Sequence, residues 1–173
     1  MSLKFPISLV GKRASSGGSA TSLYDSGDNL LVSLEGDIPN NWNAYESTYS
    51  ARRVEIGTSC TSIGNNAFVY NTFITDPLTI PNSVTSIGEQ GFYFCNSVTG
   101  PLIIGDSISS IGFYAFSYCS SITSVSILAT TAPTIGGGSF VGMTSVSPAE
   151  IHVPAGATGY AASYDGLTVV YDL

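Results

Sequence analysis

The chain has 173 residues, 43% of them hydrophobic and only 10% charged, with a formal net charge of −7. No run approaches about 18 consecutive apolar residues, so no membrane-spanning helix is expected, and the length suits one domain with its own core. All five cations (Lys4, Lys12, Arg13, Arg52 and Arg53) precede residue 54, leaving seven acids and no Lys or Arg from there to the end. Such a body repels phosphate backbones, which excludes nucleic acid as a partner, and it offers trypsin-like proteases no cleavage site.

In chain order, residues 1–29 read as an arm and tether. The segment Phe5-Pro6-Ile7-Ser8-Leu9-Val10 is short and apolar, and residues 14–22, ASSGGSATS, form a flexible polar tract behind it. The basic residues lie partly after the apolar stretch, at Lys12 and Arg13, and no small-residue cleavage site closes it, which is the wrong order for a secretion signal. Phe5, Ile7, Leu9 and Val10 are therefore the candidate anchor, docking onto another component. The other reading is a strand pairing back on the chain's own body. Residues 30–53 look like a degenerate capping coil, an imperfect version of the pattern that follows. Val32 falls 24 residues before Ile56, Ile38 is one residue off its column, and Trp42 and Tyr45 bracket an aromatic position.

Residues 54–150 carry a repeat. Ile-Gly recurs at Ile63-Gly64, Ile87-Gly88, Ile111-Gly112 and Ile135-Gly136, and a phenylalanine follows each isoleucine by five residues, at Phe68, Phe92, Phe116 and Phe140. Each step is 24 residues. A fixed period of this size marks a solenoid, whose coils bury their apolar faces only against one another. Four columns should be core: Ile56, Ile80, Ile104 and Leu128; the Ile of each Ile-Gly; the Phe column; and Ile74, Val98, Ile122 and Val146. Alternation in L-T-I (Leu78 to Ile80) and V-T-S-I (Val84 to Ile87) predicts short strands, with Pro and Gly at the corners and room for a single helical turn over G-x-x-A-F. About five coils are expected, with 151–173 as a C-terminal cap that includes a short helix over 157–165.

The wording S-V-T-S-I-G-x-x-x-F-x-x-C-x-S-V-T-G-P-L-x-I, with the closing A-T-T-A-P-T-I-G-G-G-S-F and I-H-V-P-A-G-A, resembles BspA-type leucine-rich repeats over roughly residues 54 to 160. The resemblance implies a mostly β, right-handed repeat solenoid, with a strand on one face of each coil and a short strand or helical turn on another. It implies a surface protein that binds host proteins or other cells. Cys95 and Cys119 share a column one coil apart, close enough for a disulfide, but the family's habit and Met143 in the next coil favour buried thiols. Cys60 matches Val84 and Ile108 and reads as a small core hydrophobe.

No catalytic constellation is present. His152 sits in an alternating strand, I-H-V-P, and reads as a surface position. Gly136-Gly137-Gly138 lacks the Lys-Ser/Thr of a phosphate loop and reads as a flexible corner. No Cys/His spacing suggests zinc, Asp25, Asp28 and Asp37 match no calcium loop, and no cofactor is expected. Tyr70, Phe94 and Tyr118 form a column beside the core Phe column, read as wall packing or as a ligand-stacking strip. The candidate binding face is the outward side of the L-T-I strands: Glu55, Thr79, Ile103 and Ile127, flanked by Thr75, Thr99 and Thr123. The bland alternative has the coil of Ile127 shifted by one residue, burying it. Two functions fit: a virion component (phage capsid decoration, fibre or tail) joined to capsid or tail proteins, or an extracellular or cell-surface adhesion module binding host protein or glycan. A homo-oligomer is compatible with either; nothing in the sequence supports an enzyme.

Overall fold

The structure, a computed structural model, describes residues 20–28, 30–42 and 51–173. The candidate anchor Phe5, Ile7, Leu9 and Val10, and Tyr45, lie outside the described residues. The described chain opens with a hairpin. β1 (Thr21–Tyr24) turns at Asp25 and returns as β2 (Leu30–Leu34). Asp25 makes the turn with its own side chain: Oδ1 accepts the Gly27 N–H at 2.8 Å, and its carbonyl accepts the Asp28 N–H at 3.2 Å.

β1 also pairs antiparallel with β3 (Arg53–Glu55), so it lies between β2 and β3. Val32, 24 residues before Ile56, is thus separated from the next coil by a strand of reversed direction that fills the rung between them. All four residues of β1 are buried, which corrects the tether reading over its last part: Thr21 and Ser22, the end of the polar tract, are built into the body together with Leu23 and Tyr24. The rest of the coil keeps its register. Ile38 bridges Ile63 in parallel despite the one-residue offset, and Trp42 packs edge-on to Phe68 at 5.4 Å.

From β3 onward each coil has three sides. One side carries the two-residue S-I strands β4 (Ser62–Ile63), β6 (Ser86–Ile87) and β8 (Ser110–Ile111), continued by β10 (Thr134–Ile135) in one parallel sheet. Another carries β5 (Leu78–Ile80), β7 (Gly100–Ile104), β9 (Ile122–Ile127) and β11 (Glu150–Val153), also parallel. β13 (Leu167–Tyr171) extends this sheet in parallel, and β12 (Ser163–Tyr164) closes it antiparallel. No ladder joins β3 to β5. Gly105 donates its N–H to the Ile80 carbonyl at 2.9 Å, but the matching position one coil earlier is Pro81, which has no N–H to give.

The third side contains turns rather than the helical turn expected over G-x-x-A-F. Asn66 and Tyr70, Gln90 and Phe94, and Tyr114 and Tyr118 all have positive φ, which a helix forbids. Alternate N–H groups there point at the following coil. Asn66, Phe68 and Tyr70 donate to Glu89, Gly91 and Tyr93 at 2.9, 2.7 and 2.8 Å, and the next two coils repeat the arrangement.

The phenylalanine column is a stack of near-parallel rings, with centroids 4.7, 5.3 and 6.0 Å apart from Phe68 through Phe92 and Phe116 to Phe140. Gly112 explains the adjoining glycine column: a Cβ there would sit 2.5 Å from the backbone nitrogen of Glu89 in the preceding coil. Cys60, Cys95 and Cys119 are buried and form no disulfide; the Cys95 and Cys119 thiols donate to the Phe68 and Phe92 carbonyls at 3.0 and 3.1 Å.

One core column is corrected. Ile104 pairs with Ile127, not Leu128, and Ile103 pairs with Ser126. The register shifts between Gly100 and Pro101, where Thr123 is the extra residue on β9. Ile127 is therefore inside and Leu128 is only half-buried. The expected helix over 157–165 is also absent. Thr158 instead bridges Thr131, β12 follows, and Asp165 turns the chain with φ 49.

Candidate functional site

Two long faces of the solenoid are candidates. On the strand face the pairings set the outward column as Thr79, Ile103, Ser126 and His152. Ile127, expected in this column, is 0% exposed and belongs to the core. The remaining candidates are largely committed to the fold. The Thr99 hydroxyl donates to the Thr75 carbonyl at 2.6 Å, and the Thr75 hydroxyl accepts from Arg52 Nε at 3.2 Å. Glu55 accepts from the Tyr24 hydroxyl at 3.0 Å and pairs with Arg53 at 3.1 Å. Thr79 and Thr123 are exposed and Ile103 half-buried. His152 Nδ1 lies 2.9 Å from Asp172 Oδ1, and Nε2 lies 3.7 Å from Glu150, so two carboxylates flank it on the surface strand predicted for it.

The turn face differs. Tyr70, Phe94 and Tyr118 are 63%, 36% and 44% exposed, so the reading as wall packing is corrected: the column stands in solvent. Neighbouring centroids lie 5.6 and 5.8 Å apart, with the rings tilted by 49° and 46°. Tyr93 wedges edge-on between Tyr70 and Tyr118 at 5.5 and 5.9 Å. Desolvation raises the Tyr93 hydroxyl above its ordinary pKa, with the neighbouring Tyr70 and Tyr118 hydroxyls adding to the effect, so this phenol stays neutral. Phe113 and Tyr114 extend the exposed aromatic surface.

Local backbone explains why the rings point outward. All three column residues adopt positive φ (58, 60 and 58°), a conformation that bulky side chains rarely take, and the inward space is already filled by the Phe column. In the last repeat the matching position is Gly142, where a Cβ would come within 2.6 Å of the Tyr118 ring; at Gly138 it would come within 2.5 Å of the Tyr114 ring. The glycine run is thus a seat for the rings of the preceding coil, which corrects the flexible-corner reading. Glycines standing in register with Tyr114 and Tyr118 were the available sequence signal for this face.

Among the described residues no group of three or more His, Cys, Asp or Glu is placed to hold a metal ion, and no helix is long and apolar enough to cross a membrane. No curated protein and no solved structure matches the chain. The family model described as "BspA type Leucine rich repeat region" matches residues 39–159 in six copies. That stretch covers well over half of the chain and holds every S-I-G strand, the stacked phenylalanines and the exposed ring column: the chain belongs to the BspA-type leucine-rich repeat family.

Proposed function

We propose that the protein is a non-enzymatic binding module, carried on a virion as a capsid-decoration, fibre or tail component, that meets its partner through the turn face. Membership of a leucine-rich repeat family supports protein binding in an adhesion-like role. The observation that carries the choice of face is the solvent-exposed row Tyr70, Phe94 and Tyr118 on a stack of coils. A row of large apolar rings facing water is the kind of surface that marks an interaction site. The strand face is the weaker candidate, because Thr75, Thr99 and Glu55 are already bonded within the fold and Ile127 is in the core.

The virion reading rests on the apolar segment Phe5 to Val10 with Lys4, Lys12 and Arg13 around it, placed before a Gly/Ser tract, and on a body free of Lys and Arg. A cell-surface adhesion module is the second reading, favoured by the family itself. Deleting residues 1–19 tests the anchor. The truncated protein should keep its melting temperature within a few degrees and fail to join the particle. Unfolding on truncation, or unimpaired incorporation, would overturn the anchor.

A further inference from the structure

We propose that the turn face takes an extended, Lys- or Arg-bearing segment of a partner protein, whose cations lie over the rings of Tyr70, Phe94 and Tyr118. The inference rests on the binding-module reading above and supplies the chemistry of its partner.

Three observations carry it. First, the rings stand in solvent at 5.6 and 5.8 Å intervals, and an aromatic face attracts a cation within about 6 Å of its centroid. The chain uses this interaction itself: the Arg53 guanidinium lies 4.3 Å from the centroid of the Tyr24 ring. Second, the body has no cation of its own to offer. Residues 54–173 contain no Lys or Arg, while Arg52 is paired with Asp76 and Arg53 with Asp28 and Glu55. Third, charge selects the partner's sign. Seven acids stand in the same stretch, and Glu89 is exposed in the turn that also carries Tyr93 and Phe94.

A second copy of the chain fits poorly, since it would bring another body of net charge −7 against the first. Geometry favours an extended segment. Side chains on one face of a strand recur every two residues, about 6.8 Å, close enough to the ring spacing for long Lys or Arg side chains to absorb the difference.

The test uses the full chain and a fluorescent peptide of four Arg-Ser repeats, with a four-repeat Gln-Ser peptide and a neutral hexasaccharide of glucose as comparison probes. The ring-free variant is Tyr70→Asn/Phe94→Asn/Tyr118→Asn, because asparagine tolerates positive φ and leaves net charge unchanged. The Arg-Ser peptide should bind the wild type at least tenfold more tightly than the triple variant, and about threefold more tightly than Phe94→Asn alone, which serves if the triple variant does not fold. Glu89→Gln should weaken it further than the same charge change at Asp106→Asn. Equal affinity for wild type and ring variants would reduce the attraction to net charge and overturn the proposal. Ring-dependent binding of the hexasaccharide or the Gln-Ser peptide in place of Arg-Ser would overturn the cationic partner yet leave the binding-module reading standing. That reading fails separately if particles or cells take up ring variants and wild type equally.

Discussion

Asp165 accepts the backbone N–H of Phe140 through Oδ2 at 2.9 Å, the same distance at which the Ser139 carbonyl accepts the N–H of Phe116 one coil earlier. Its other oxygen accepts the Gly138 N–H at 3.2 Å, matching the bond from Tyr114 to the Gly137 carbonyl at 3.3 Å. A single carboxylate thus stands in for two carbonyls of the coil that never comes. Terminal coils of a solenoid must satisfy such groups some other way, and here one side chain does it.

Asp165→Ala should therefore destabilise the protein by about 1–2 kcal/mol, on the scale of a lost cap, while Asp165→Asn keeps one acceptor and loses less. Urea unfolding of the two variants measures the difference. Equal losses would mean that the carboxylate is not acting as the end cap.

Ile103 and Ile127 are both apolar residues of the strand face region, but only Ile127 is in the core. Ile127→Ala should cost about 2–5 kcal/mol, as should Ile87→Ala and Phe92→Ala, whereas the exposed Thr79→Ala should fall within about 0.5 kcal/mol. Ile103→Lys should leave the fold intact, and Ile127→Lys should not. Chemical denaturation of this set checks the register slip at Thr123 directly.

Gly112 and Gly156 separate two reasons for a glycine. A Cβ at Gly112 would meet Glu89 backbone at 2.5 Å, while at Gly156 it meets nothing within 4 Å and only the φ of +83° is strained. Gly112→Ala should cost about 3 kcal/mol from forced separation of two coils, and Gly156→Ala about 1 kcal/mol from strain alone. The comparison is made by thermal melting of each single variant.

Asp37 caps the first S-I-G strand, accepting the Thr61 and Ser62 N–H groups, both at 2.7 Å, and the Thr61 hydroxyl at 2.9 Å. The Thr61 N–H is the main cause that holds its carboxyl below the ordinary value of 3.8. Because folding lowers this pKa, the stabilisation is fully present above about pH 4 and is lost as pH falls through the folded-state value. The difference in melting temperature between wild type and Asp37→Asn should be constant from pH 7 to about pH 5 and shrink below about pH 4. A difference that stays constant down to pH 2 would show that the carboxylate charge plays no part.

The columns of the solenoid were readable because each apolar position recurs at one period and only stacked coils can bury all of them together. The misread positions share a physical cause. Ile127 and Leu128 are adjacent and both apolar, so alternation alone cannot say which faces in; that is settled by Thr123, whose insertion shows only when β7 and β9 are laid side by side. β1 is four residues long, too short for its pattern to reveal that it runs against the coils. The exposed rings could be read either as wall packing or as a stacking strip because they adjoin the core Phe column, and the positive φ that turns them outward shows in the sequence only through Gly138 and Gly142 standing in register with Tyr114 and Tyr118.

Site-specific photo-crosslinking tests most directly whether the turn face is the working surface. A photoreactive phenylalanine analogue is placed at Phe94 on the turn face or at Thr79 on the strand face, and the protein is irradiated within the particles or cells that carry it. The turn-face reading predicts a defined adduct from position 94 and none from position 79. Adducts from position 79 alone, or from neither position, would contradict it.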